Sequence, residues 1–86
     1  GNYTLVAGNG PGYGFKWYPD ASKEASNKDF DAKTTSVQVH VDDGKTQTVK
    51  LEVKNAFGRV ASKDFTIVRP KSDGGPKTIQ INPGGN

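Results

Sequence analysis

Thr48-Val49-Lys50-Leu51-Glu52-Val53-Lys54-Asn55 decides the fold. Val49, Leu51 and Val53 alternate with Lys50, Glu52 and Lys54, a period of two that a β-strand converts into one apolar face and one wet face. Upstream, Val37, Val39 and Val41 alternate with Gln38, His40 and Asp42, and Asp43-Gly44 lies between the two runs. That spacing predicts a hairpin. Downstream, Asn55-Ala56-Phe57-Gly58 is a tight connection whose Asn and Gly tolerate positive φ. Residues 59–68 then read as a strand with Phe65 and Ile67 inward. Val60 falls on the opposite parity from Phe65, which predicts a bulge or a change of sheet between them.

Toward the N-terminus, Tyr3, Leu5 and Ala7 form one face of a strand that stops at Gly8-Asn9-Gly10-Pro11-Gly12. Tyr13, Phe15 and Trp17 share a face of the next strand, with Lys16 and Tyr18 on the other. Residues 21–35 are polar around a single large apolar side chain, Phe30, and leave two readings open: a helical turn over 21–25 and a short edge strand near Phe30. Short strands about every ten residues, without a long helix, predict an all-β antiparallel sandwich of about seven strands. Its core is expected to contain Leu5, Phe15, Trp17, Val39, Val49, Leu51, Val53, Phe65 and Ile67.

The composition narrows the chemistry. The 86 residues hold 31% hydrophobic residues, 11 Gly and 5 Pro, enough for one small domain whose core must use nearly every large apolar side chain. No run approaches the roughly 20 apolar residues of a membrane span, so direct membrane insertion is not expected. Without cysteine there is no disulfide framework, zinc–thiolate site or cysteine nucleophile. The net charge of +3 comes from 12 basic and 9 acidic residues scattered along the chain, not from the clustered Lys and Arg of a nucleic-acid footprint. Opening on Gly rather than Met, the sequence is read as a processed or excised fragment.

After Asp73-Gly74-Gly75-Pro76, the segment Lys77-Thr78-Ile79-Gln80-Ile81 alternates again and is followed by turn residues. Joined tail to head, 78–81, a Pro-Gly-Gly-Asn turn and 3–7 would make the first two strands of a sandwich. The expected organisation is therefore a core over 1–70, a linker over 71–76, and a C-terminal strand over 77–86 that completes its own sandwich, a neighbour's, or the next repeat. Thr78, Ile79, Gln80 and Ile81 are the strand-donor segment in this reading. The alternative is a linker rich in Gly, Pro and Asn.

The pattern Val49-x-Leu51-x-Val53-x-Asn55-x-x-Gly58 is similar to the penultimate strand and hairpin of immunoglobulin-like domains. Trp17, on the third strand once the tail is counted first, stands where that fold places its core tryptophan. More narrowly, Phe15-Lys16-Trp17-Tyr18-Pro19, the Asp-Gly turn and residues 48–58 resemble bacterial immunoglobulin-like repeats close to polycystic-kidney-disease (PKD) domains. The resemblance covers residues 3–68, with the tail as first strand. It implies a non-catalytic spacer, adhesive or binding module at the cell surface or outside the cell, in a filament, adhesin or multimodular secreted protein. Its partners would be copies of itself, neighbouring repeats, or surface glycans and proteins.

No residue set contradicts that expectation with chemistry of its own. His40 lies on the wet face beside Asp42, and no nucleophile or second histidine completes a catalytic set, so no enzyme is expected. Asp20, Glu24, Asp29, Asp31, Asp42 and Asp43 lie in or beside connections, where a calcium ion is one reading and ordinary turn chemistry the preferred one. Tyr13, Tyr18 and Phe57 are the candidate ligand-facing aromatics, since Phe15, Trp17 and Phe65 are needed to fold. Used this way, they would make the chain a carbohydrate- or protein-binding accessory module of a secreted enzyme.

Overall fold

The structure, a computed structural model, describes residues 2–7, 13–71 and 77–81. They form β1 (Asn2–Ala7), β2 (Gly14–Tyr18), β3 (Ser36–His40), β4 (Thr46–Lys54), β5 (Val60–Val68) and β6 (Lys77–Ile81), with no helix among the described residues. Two three-stranded sheets result, ordered β3-β1-β6 and β2-β4-β5. Their apolar faces meet in one core. Tyr3, Leu5, Ala7, Val39 and Ile81 come from the first sheet, and Phe15, Trp17, Val49, Leu51, Val53 and Ile67 from the second. Phe65 is half-buried at the margin of this cluster.

The valine runs do not form a hairpin with each other. β3 pairs with β1, whereas β4 pairs with β2 and β5, so the chain crosses from one sheet to the other between them. A two-residue hairpin on Asp-Gly needs positive φ at both residues. Here only Gly44 has it, at 72°. The connection is a looser turn, closed by Lys45 N–H donating to the Asp42 carbonyl at 3.1 Å, with Val41 buried as the chain passes over the core. Arg69 holds this crossing in place. Its guanidinium donates to the Val41 carbonyl at 2.7 Å and pairs with Asp43 at 2.5 Å, and its backbone N–H donates to Lys45 at 3.0 Å.

Nor does β5 bulge. It pairs with β4 without interruption from Thr46↔Val68 to Lys54↔Val60. The parity conflict is resolved by leaving Val60 and Val68 on the outer face, where they stay 46% and 66% exposed. An edge strand tolerates isolated valines in water at small cost. The turn joining β4 to β5 needs positive φ only at Gly58, at 82°. Asn55 contributes through its side chain, whose Oδ1 accepts from Phe57 N at 2.9 Å and Arg59 N at 3.0 Å.

Six strands occur among the described residues where about seven are predicted. The segment after β2 makes a single bridge, Phe15↔Asp31, because Asp31 bends the chain immediately. Its carboxylate accepts from Lys33 N at 2.8 Å and Thr34 Oγ1 at 3.1 Å. The helical reading of 21–25 also gives way to a turn, in which Asp20 accepts from Ser22 N at 3.0 Å and Ser22 Oγ at 2.6 Å. Such side-chain bonds compete with helix and ladder alike.

The segment nevertheless lies along the free edge of β2. Asn27 Oδ1 accepts from Trp17 N at 3.0 Å, Asn27 Nδ2 donates to the Phe15 carbonyl at 2.8 Å, and Ser26 N donates to the Trp17 carbonyl at 2.8 Å. One amide side chain thus replaces part of a missing strand and covers an edge that could otherwise recruit another chain. Inside the core, the Trp17 indole N–H donates to the Thr34 carbonyl at 2.7 Å, so the largest buried ring leaves no orphan donor.

The tail forms β6 beside β1 of the same chain, in the register Tyr3↔Lys77 to Ala7↔Ile81. The pairing is parallel, so the sandwich is not antiparallel throughout. A tail-to-head turn would require the opposite direction, since strands joined by a short hairpin run antiparallel. Residues 72–76 and 82–86, which carry most of the expected linker and the Pro-Gly-Gly-Asn turn, lie outside the described residues.

Candidate functional site

Alternation on β2 turns Phe15 and Trp17 inward and leaves Lys16 and Tyr18 on the outer side. Tyr18 lies directly opposite Lys50 and diagonal to Glu52. Its hydroxyl donates to Glu52 Oε1 at 2.5 Å, and Lys50 Nζ sits 5.0 Å from its ring centroid, within cation–π range. The Glu52 hydrogen bond, then slight desolvation and the Glu52 charge, raise the phenol's pKa above its ordinary 10.0. Tyr18 is therefore held neutral and oriented.

Two open grooves flank this rim. One, of about 300 Å³, is lined by Lys16, Tyr18, Glu24, Ala25, Asn27 and Lys28. The other, of about 420 Å³, is lined by Tyr13, Gly14, Phe30, Ala32, Lys54, Asn55 and Ala56. Phe30 is half-buried, and two ammonium groups approach its ring, Lys54 at 5.7 Å and Lys16 at 5.8 Å from the centroid. Gly14 lets it sit so close to β2, because a Cβ there would lie only 3.0 Å from Phe30 Cβ. Tyr13 packs edge-on to Phe15, 6.3 Å between centroids, so its ring is fixed from behind by the core.

Of the sequence-derived aromatics, the structure brings Tyr13 and Tyr18 to the two grooves and leaves Phe57 at the tip of the β4–β5 turn, 94% exposed and lining neither. Phe30 and Lys54 are the groove residues that sequence reasoning missed. The available signal was a lone aromatic in a polar segment. Which strand it would lie against is a tertiary fact.

The remaining candidates are dispersed. His40 is exposed, its ring nitrogens 3.1 Å from Asn2 Oδ1 and 3.0 Å from Asp42 Oδ1. Asp20 and Asp31 direct their carboxylates at their own turns. Bonds from Ser22 hold Asp20 below the ordinary 3.8, and the Lys33 amide followed by the Thr34 hydroxyl does so for Asp31. Among the described residues no three His, Asp or Glu side chains converge as a metal site. In the donor segment, Ile81 is buried and Ile79 half-buried, while Thr78 and Gln80 face water. No family model, curated protein or solved structure matches this chain.

Proposed function

We propose that this chain is a non-catalytic structural module of an extracellular bacterial surface filament, adhesin or multimodular secreted protein, a repeat or subunit able to assemble by strand donation. The observation that carries the reading is β6: the last strand occupies the edge beside β1 and adds Ile81 to the core. Strand order supports an immunoglobulin-like assignment. β6-β1-β3 facing β2-β4-β5 matches the order of strands A-B-E facing C-F-G, with the tail in the place of strand A but running parallel to its neighbour, where strand A runs antiparallel. Delivered to a neighbouring copy instead of its own β1, the same strand buries the same isoleucines, and such head-to-tail contacts propagate.

Mixing two single-cysteine variants, Thr4→Cys and Thr78→Cys, tests this, because those positions are register neighbours and the chain has no cysteine of its own. Strand donation predicts mixed disulfide dimers whose yield rises with protein concentration. A Thr4→Cys/Thr78→Cys double variant that closes only within one chain, with no mixed dimers at any concentration, would refute donation.

A second reading, a carbohydrate- or protein-binding accessory module, is favoured by the adjacency of the two aromatic-lined grooves along β2.

A further inference from the structure

The two grooves are one surface divided by a lysine. Lys16 lines the groove that contains Tyr18, and its ammonium also stands over Phe30, which lines the groove that contains Tyr13. The outer face of the β2–β4 pair thus carries Tyr18, Lys16 and Lys54, with Phe30 beside the two lysines, and Tyr13 lines the second groove from the side on which it packs against Phe15. Lys16, Lys28 and Lys54 have no carboxylate partner among the described residues: Glu52, opposite Lys16 on β4, is engaged by the Tyr18 hydroxyl, and Glu24 lines the Tyr18 groove without an ion pair to them. Unpaired ammonium groups beside aromatic rings favour an anionic ligand with apolar faces. Lysine supplies separated point charges, which suit one carboxylate per step along a chain better than the forked, bidentate capture that arginine provides. Both grooves are open, and they adjoin where Lys16 reaches the Phe30 ring, a layout that suits an extended ligand crossing from one to the other.

We propose that this rim is a binding site for a linear polysaccharide of carboxylated sugars, its pyranose faces lying on Phe30 and Tyr18 and its carboxylates on Lys16 and Lys54. The proposal rests on the binding-module reading and specifies its ligand class.

The test is calorimetric titration of the whole chain with polygalacturonate, with neutral dextran, dextran sulfate and a single-stranded oligothymidylate as comparison probes. The expected result is binding of polygalacturonate that weakens about ten-fold or more in Lys16→Gln/Lys54→Gln. The charge-matched Lys45→Gln/Lys71→Gln should bind as the parent does. Phe30→Leu keeps the apolar plug but removes the ring, and should also weaken binding while its thermal midpoint stays near the parent's. Several outcomes overturn the proposal: no binding of polygalacturonate, equal weakening in both lysine pairs, equal or tighter binding of dextran sulfate or the oligonucleotide, or no effect of Phe30→Leu. Binding of dextran alone would sink the anionic ligand yet leave the glycan-binding reading standing. Failure of every probe would remove support from both.

Discussion

Asn27 shows how much of this fold rests on one polar side chain. It accepts from Trp17 N and donates to the carbonyls of Phe15 and Asp29, so three backbone groups depend on a single amide. Asn27→Ala is expected to cost about 2 kcal/mol, since partly buried backbone groups lose partners that water only partly replaces. Urea unfolding would read this as a lower midpoint at unchanged slope. Asp20 and Asp31 make a different prediction. Their folded pKa values lie below the unfolded 3.8, so their stabilisation is present above that value and is lost as pH falls through the lowered ones. Asp20→Asn/Asp31→Asn should therefore flatten the dependence of the urea midpoint on pH in the acid range at and below the ordinary 3.8. Tyr18 carries the opposite sign: its raised pKa contributes at neutrality and is lost as alkaline pH passes through the folded value.

Among the strands, β6 draws a sharp contrast between inward and outward positions. Only its inward positions reach the core, with Ile81 buried and Gln80 exposed. Ile81→Ala should then destabilise by about 2–4 kcal/mol, while Gln80→Ala stays within about 0.5. Equal effects, measured by thermal or urea unfolding, would mean that the strand does not dock as described. β2 and β5 manage their edges differently: β2 is covered by the 26–31 segment, whereas β5 presents alternating Ser62, Asp64 and Thr66 on its outer face. Polar outer residues of this kind discourage indiscriminate sheet extension. The nine-residue β4–β5 ladder is also the most local pairing in the molecule, joined by a turn that Asn55 and Gly58 close.

For the molecule as a whole, the governing fact is the separation between β1 and its two partners. Tyr3 pairs with Val39 on one side and Lys77 on the other, so the first sheet closes only when the two ends of the chain meet. Non-local pairing must meet its loop-closure entropy before contacts reward it, which slows folding. Stopped-flow refolding followed by Trp17 fluorescence is expected on a timescale of about milliseconds to seconds. Microsecond refolding would contradict this topology.

The alternation of Val49, Leu51 and Val53, and of Phe15 and Trp17, sufficed to identify strands and their buried faces, because side-chain direction in a strand is local geometry. The Asn55–Gly58 turn was legible for the same reason. Sequence did not disclose that the runs containing Val39 and Val49 lie in different sheets, since two apolar faces can share a core either side by side or across it. Nor could it assign β6 a direction, because Ile79 and Ile81 face inward whichever way the strand runs. The Phe30–Lys54 groove depended on the segment after β2 folding back along that strand through Asn27 and Asp31, and on Lys54 of the distant β4 pairing opposite Gly14. Periodicity records which face of an element is apolar; only packing determines which elements come to face one another.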